Sequence, residues 1–208
     1  MVVPEAARPH KLTRAFRRVH IVHMAARLLP GPFTVDSYHR LAELGILDED
    51  DRVELLDGQV VEMTPIGPEH AGCVDALTTL LSRRVGDTAV VRVQNPLILG
   101  TRWEPQPDVA LLRPRADGYR TAHPGAGDVL LVIEVADSTA GSDRDVKLPL
   151  YARAGIAEAW LVDLAADVIE VHRQPGLEGY REVHTLRRGD TLSALLLPAR
   201  SIPVDDVL

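Results

Sequence analysis

The sequence has little cysteine: Cys73 is the one thiol among 208 residues. A single thiol cannot form a disulfide within the chain, and it excludes a metal centre built from several thiolates. This usage is typical of proteins in a reducing compartment, so we expect a cytoplasmic location. No apolar run reaches the roughly 20 residues that cross a bilayer, and no apolar N-terminal segment resembles an export signal. We therefore expect neither membrane insertion nor export.

Lysine is almost as scarce as cysteine. The chain has 23 basic residues, and its lysines are Lys11 and Lys147. A lysine retained in such an arginine-rich chain indicates a role that a guanidinium cannot fill, such as releasing a proton or fitting as a compact ammonium. Lys147 is therefore a candidate functional residue, with a solvated helix lysine as the alternative.

Chain length and net charge limit the possible fold classes and binding partners. A chain of 208 residues with 46% hydrophobic and 25% charged residues fits one α/β domain with a sizeable core. We place this domain at residues 24–208, after a basic and disordered tail at residues 1–23; Met24 is an alternative start of translation. The formal net charge of -7 argues against a broad nucleic-acid-binding surface, but it leaves open a cleft where metal ions screen the acids.

Two apolar runs each carry a carboxylate. Residues 129–135 read as a central strand buried on both faces, with Glu134 near its end. Residues 106–112 form a second buried strand, with Asp108 at its beginning. Neighbouring strands lie about 4.8 Å apart, so the two acids can reach one ion. Carboxylate oxygens without a His/Cys cluster favour Mg²⁺ or Mn²⁺ over zinc.

Turn and capping residues predict most other elements. Asp57-Gly58 between two β-rich runs is a strong hairpin signal, and Thr34 and Gly45 are typical of a helix start and stop. The full prediction is a helix at 35–44, a hairpin at 52–63, a helix at 68–84, a strand at 89–99 interrupted by Asn95-Pro96, a helix at 143–154, a hairpin at 157–172, and further short strands near 180–186 and the C-terminus.

Asp108, Glu134 and Lys147 follow one another in the order strand, strand, helix. A proline-aspartate pair, a glutamate at the end of an apolar strand and a following lysine resemble the PD-(D/E)XK nuclease superfamily. The chain is most similar to the branch of Uma-type restriction endonucleases over residues 33–190. The residues that carry this resemblance are Glu54-Leu55-Leu56-Asp57-Gly58, Met63-Thr64-Pro65, His70, Pro107-Asp108-Val109, Ile133-Glu134-Val135, Lys147 with Tyr151, and Glu158-Ala159-Trp160-Leu161-Val162-Asp163.

The resemblance implies a restriction-endonuclease-like fold, an α/β architecture with a mixed central sheet flanked by helices and additional hairpins. It implies a metal-dependent endonuclease that hydrolyses DNA, with a homodimer as the simplest route to double-strand cuts. Asp108 and Glu134 would bind Mg²⁺ together with the Val135 carbonyl, and Lys147 would assist the attacking water. Glu54 and His70 would approach the same cleft, with Gln94 as a weaker candidate at its rim.

The chain departs from the superfamily pattern at two positions. The usual lysine lies two residues after the glutamate, where this chain has Ala136. Lys147 would replace it from the helix, but Pro149 removes a backbone hydrogen bond there. We expect either a helix that starts near Lys147, with Pro149 in its first turn, or a kink at the proline.

Structural interpretations stay open for each site residue. Asp108 could be a turn residue, Glu134 could pair with an arginine such as Arg144, and Glu54 could lie on the exposed side of its strand. His70 could be structural, Tyr151 could pack its helix, and Trp160 belongs to the core. For the whole protein, the alternatives are an inactive nuclease fold that serves as a binding module and a hydrolase of another phosphate ester.

Overall fold

The computed structural model describes residues 32–48, 50–137, 140–196 and 201–208. The predicted basic tail at 1–23 and the alternative start at Met24 lie outside the described residues. Among the helices that are described, none is long and apolar enough to span a membrane.

A six-stranded mixed sheet forms the centre of the fold, in the order β3-β4-β5-β6-β7-β8. β5 and β6 are parallel, and every other neighbouring pair in this sheet is antiparallel. All residues of β5 are buried, which confirms the predicted central strand. The strands are β3 (Val90–Val93), β4 (Val109–Leu112), β5 (Val129–Ala136), β6 (Glu158–Asp163), β7 (Val168–Gly176) and β8 (Gly179–Leu186).

Two small antiparallel pairs accompany the central sheet. β1 (Val53–Leu56) and β2 (Gln59–Glu62) form the predicted hairpin, while β9 (Thr191–Leu192) pairs with β10 (Ile202–Pro203). The β1–β2 turn places Asp57 and Gly58 at φ values of 48° and 78°. Positive φ at both central residues is the geometry that makes Asp-Gly a hairpin turn.

The helices lie on both faces of the sheet. α1 (Val35–Glu43) begins at the Thr34 cap, and α2 (Pro68–Val85) buries Val74, Leu77 and Leu81 against one face. On the other face lies a continuous helical segment made of α3 (Ala140–Ser142), a π-helical stretch (Asp143–Lys147) and α4 (Leu148–Arg153). Short 3₁₀ turns complete the described structure at Gly86–Thr88, Ala126–Asp128 and Val204–Asp206. This is the mixed α/β architecture that the sequence predicts.

Two strand boundaries around Asp108 differ from the prediction. β4 begins at Val109 rather than at residue 106, so Asp108 lies just before the strand. β3 ends at Val93, just before the predicted interruption at Asn95-Pro96, because Gln94 has a left-handed backbone. The strand does not resume after the interruption, where Ile98 forms only an isolated bridge.

The predicted helix at 143–154 begins earlier, at Ala140, and contains the π-helical stretch. There the Leu148 N–H donates to the Asp143 carbonyl, five residues back. Pro149 lies in the first turn of α4, one of the two expected arrangements. A wider turn relieves the clash of a proline ring with the preceding turn of a regular helix.

Candidate active site

A cavity of about 160 Å³ opens at the end of β5, between the β1–β2 hairpin, the start of α2 and the π-helical stretch. The structure brings the predicted catalytic and metal-binding residues into its lining. These residues are Glu54, His70, Asp108, Glu134, Val135 and Lys147.

The register between β4 and β5 brings the two predicted metal-binding carboxylates together. Val109 pairs with Ile133 across the antiparallel ladder, and the Val135 backbone N–H donates to Asp108 Oδ2 at 2.9 Å, so Asp108 lies beside the end of β5 that carries Glu134. The charge of Asp108 contributes to a raised pKa of Glu134, in agreement with this proximity.

Asp108 is buried and held at both carboxylate oxygens. Its Oδ2 accepts from the Val135 backbone N–H at 2.9 Å and contacts His70 Nε2 at 3.1 Å. Its Oδ1 accepts from Gln94 Nε2 at 3.2 Å. Burial opposes ionisation of Asp108, but these hydrogen bonds outweigh it and lower the pKa below its usual value. The same contact with Asp108 raises the pKa of His70.

Glu134 is contacted at each oxygen by the helical segment above it. The Tyr151 hydroxyl donates to Oε1 at 2.5 Å, and Lys147 Nζ lies 3.4 Å from Oε2. Arg144, the alternative partner predicted from the sequence, instead pairs with Asp163 and Glu170 at 2.7 and 2.8 Å. Glu134 therefore has no arginine partner among the described residues.

Glu54 reaches the same lysine from β1. Its Oε1 lies 3.3 Å from Lys147 Nζ, and its Oε2 accepts from the Gln106 backbone N–H at 3.1 Å. The Glu54 side chain is 6% exposed, so it does not lie on the exposed side of its strand. Lys147 thus bridges two buried carboxylates that belong to separate sheets.

Protonation differs sharply among these groups. Burial, reinforced by neighbouring carboxylates, raises the pKa of Glu134 to about 8 although Lys147 acts against it. Burial by itself would lower the pKa of Lys147, but Glu134, Glu54 and Asp143 raise it above its usual value, which favours the ammonium. In this arrangement Lys147 is a positively charged hydrogen-bond donor rather than a base.

Carboxylates outnumber cations in the lining of the cavity. Glu62, Asp137 and Asp143 join the three predicted acids, whereas the basic side chains are Arg52 and Lys147, with His70 besides. Within the described residues, no group of three His, Cys, Asp or Glu side chains is arranged to hold a metal ion by itself. A hard cation bound here would need water or backbone oxygens to complete its shell, as Mg²⁺ commonly does.

The structure adds two contacts that the sequence did not assign. Tyr151, expected to pack its helix, is fully buried and also donates to Glu134. The spacing of four residues between Lys147 and Tyr151 could have signalled this, because such residues share one helix face. Gln94, a weak candidate for the rim, contacts Asp108 instead of lining the cavity. Trp160 is core, as predicted.

Comparisons with known proteins agree with this geometry. A model of the Uma2 family, described as "Putative restriction endonuclease", matches residues 35–205. A solved structure described as a putative nuclease belonging to DUF820, from Anabaena variabilis ATCC 29413, superposes with a TM-score of 0.65. It is 14% identical, and the match covers 85% of this chain and 97% of that chain, which shows a shared fold. The search of curated proteins gave no match. Because the family model spans most of the sequence, the chain belongs to the Uma2 family of restriction-endonuclease-like proteins.

Proposed function

We propose that this protein is a metal-dependent endonuclease that hydrolyses phosphodiester bonds in DNA. The observation that carries the proposal is the shared cavity of Asp108, Glu134 and Lys147. Family membership supports nuclease activity in general. The metal, the DNA substrate and the role of each residue are our inference.

The donor set of the cavity fits Mg²⁺ or Mn²⁺. Asp108, Glu134 and Glu54 offer carboxylate oxygens, the hard ligands that these cations prefer. Asp108 and Glu134 would hold the ion, and the Val135 carbonyl stays a predicted third ligand. When bound, such an ion would polarise a phosphate oxygen and lower the pKa of a water molecule.

The chain's own residues would orient and balance charge around the scissile phosphate. Tyr151 and Lys147 hold the two oxygens of Glu134 in place, while His70 and Val135 hold Oδ2 of Asp108. The Lys147 ammonium can donate a hydrogen bond to the attacking water or to a phosphate oxygen, and its charge offsets the negative charge that develops there. Glu54 keeps Lys147 within this cavity.

Cleavage of plasmid DNA tests the proposal. The purified chain should nick or linearise a supercoiled plasmid with Mg²⁺ or Mn²⁺, and a chelator should abolish the cutting. Asp108→Asn should lower the rate by roughly 10³-fold, since a lost cation contribution of several kcal/mol corresponds to that factor. Lys147→Ala and Lys147→Arg should both be strongly impaired.

Asp167→Asn is a matched control, because Asp167 is exposed and pairs with Arg188 away from the cavity. It should cut at the wild-type rate. Cutting that persists in chelator, or in both lysine variants, would contradict the mechanism. DNA binding without cutting would favour the inactive binding module, and strong competition by small phosphate esters would favour a different phosphoester substrate.

The predicted homodimer is tested by size-exclusion chromatography with light scattering, which should give twice the chain mass of 22.7 kDa.

A further inference from the structure

Gln94 has a backbone conformation that a residue with a side chain rarely adopts. It follows β3 directly and has a φ of 50°, in the left-handed region. A Cβ atom makes this region unfavourable, and outside glycine it is populated mainly by Asn and Asp. Strain of this kind persists where the surrounding structure imposes it, and it is concentrated at functional sites.

Both polar ends of Gln94 converge on one residue. Its backbone N–H donates to the Asp108 carbonyl at 3.1 Å, and its side-chain Nε2 donates to Asp108 Oδ1 at 3.2 Å. The His70 and Val135 contacts both reach Oδ2. Gln94 therefore holds the other oxygen and restricts rotation of the Asp108 carboxylate.

We propose that Gln94 is a positioning residue: its left-handed backbone aims the side-chain amide at Asp108, and this amide orients the Asp108 carboxylate for cation binding. Gln94 does not line the cavity, so it acts through Asp108 and touches neither substrate nor ion. Asp108 lies just before β4, where no ladder partner on the β3 side fixes it, and the turn at Gln94 supplies that constraint. This inference rests on the proposed function, since it assigns Asp108 a cation.

The test compares two glutamines that share a backbone conformation. Gln174 has a φ of 57°, and its Nε2 also donates to a carboxylate, Glu182 Oε2 at 2.6 Å. Gln174 is exposed on β7 and does not line the cavity, so Gln174→Gly is a matched control for Gln94→Gly. Glycine adopts positive φ without a steric penalty. Neither substitution should therefore lower the melting temperature.

Three quantities are measured on each purified protein: the melting temperature, the affinity for Mn²⁺ by calorimetry, and the rate of plasmid cleavage. Gln94→Gly should lose roughly ten- to hundred-fold in Mn²⁺ affinity or in cleavage, the range for residues that support metal ligands. Gln94→Glu keeps the side-chain length but points a carboxylate at Asp108, so its loss should be at least as large. Gln174→Gly should match the wild type in both.

Gln94→Gly with wild-type Mn²⁺ affinity and cleavage would overturn the positioning role, as would an equal loss in Gln174→Gly. A fall in the melting temperature of Gln94→Gly alone would overturn it too, because the glutamine would then stabilise the fold rather than the site. A wild-type protein that neither binds Mn²⁺ nor cuts DNA would instead overturn the proposed function itself.

Discussion

Two buried glutamates in neighbouring strands of one sheet have opposite surroundings. Glu158, at the start of β6, is fully buried and accepts from Trp160, from Arg173 at 2.8 Å and from the Leu195 backbone N–H. Glu134, near the end of β5, is 2% exposed and meets a tyrosine hydroxyl and a shared lysine, with three further carboxylates close enough to affect its pKa.

The difference separates a carboxylate whose charge is balanced within the protein from one proposed to bind a cation. Glu158 has an arginine beside it and neutral donors around it, so its charge is balanced within the protein. Among the described residues, Lys147 is the one cation paired with Glu134, and Glu54 shares it, so the local balance is negative. Burying a charge without compensation is costly, and a site that retains such a group is a candidate for binding a cation.

The largest effect expected from this comparison is on stability. Glu158→Gln breaks a buried ion pair and should lower the free energy of unfolding by about 3 kcal/mol, because the remaining donors lose their charged partner. For a chain of this size, that corresponds to a melting temperature lower by roughly 10 °C. Burial and the neighbouring carboxylates already disfavour ionisation of Glu134, so the neutral amide of Glu134→Gln should leave the melting temperature equal to or above that of the wild type.

Thermal unfolding followed by circular dichroism measures both variants. A Glu134→Gln protein that is destabilised as strongly as Glu158→Gln would end the distinction between the two glutamates. In cleavage assays we expect Glu134→Gln to be the impaired variant. Glu158→Gln should cut normally below its melting temperature, whereas Glu134→Gln should not.

A second prediction concerns added metal. If the acids around Glu134 bind Mg²⁺ in the folded state, a free concentration one hundred times Kd should stabilise the protein by about 2.7 kcal/mol. The increase should vanish in Glu134→Gln and in Asp108→Asn but persist at full size in Asp167→Asn. Unfolding in Mg²⁺ and in potassium salt of equal ionic strength provides the comparison, and an equal increase in both salts would mean that no specific site exists.

The smallest effect concerns pH and a second paired carboxylate. Burial opposes ionisation of Glu170, but hydrogen bonds from Arg144 and His172 outweigh it and lower its pKa; burial also lowers the pKa of His172. Both groups take up a proton more readily when unfolded. Their contributions to stability are therefore complete above about pH 6.5, and they decrease on acidification, first for His172 and then for Glu170 below about pH 4.3.

Glu170→Gln should therefore show a flatter dependence of melting temperature on pH between about 5 and 3 than the wild type. A scan of melting temperature against pH measures this. Asp167→Asn is a suitable control, because Asp167 is exposed and pairs with Arg188, which lies outside this network. A Glu170→Gln curve parallel to that of the wild type would show that the Arg144 network does not contribute to acid sensitivity.

Local signals in the sequence were sufficient for much of the fold. The Asp57-Gly58 turn, the Thr34 cap and the apolar run of β5 each act through neighbours in the chain, so their elements were predicted correctly. The start of β4 was not predicted correctly, because contacts with Gln94 and with β5 hold Asp108 outside the strand. These contacts come from residues that are distant in the sequence, so no local sequence pattern predicts them.

The site shows the same division. Asp108, Glu134 and Lys147 could be selected from residue type and order, and they do lie in one cavity. The partner of Glu134 could not be selected from the sequence, because Arg144 and Lys147 both lie on the segment that follows it. Arg144 pairs instead with Asp163 and Glu170, a choice that depends on the tertiary placement of β6 and β7.

The π-helical stretch gives the helical segment one more residue per turn at Asp143–Lys147 than a regular helix would have. That single extra residue sets the angle around the helix axis between two groups of contacts. Arg144 pairs with Asp163 on β6 and Glu170 on β7, whereas Lys147 and Tyr151 both contact Glu134. Deleting one residue from the stretch would restore regular winding and rotate these two groups of contacts apart by roughly 100° around the helix axis. The direction in which Lys147 enters the cavity thus depends on one extra residue in the helix.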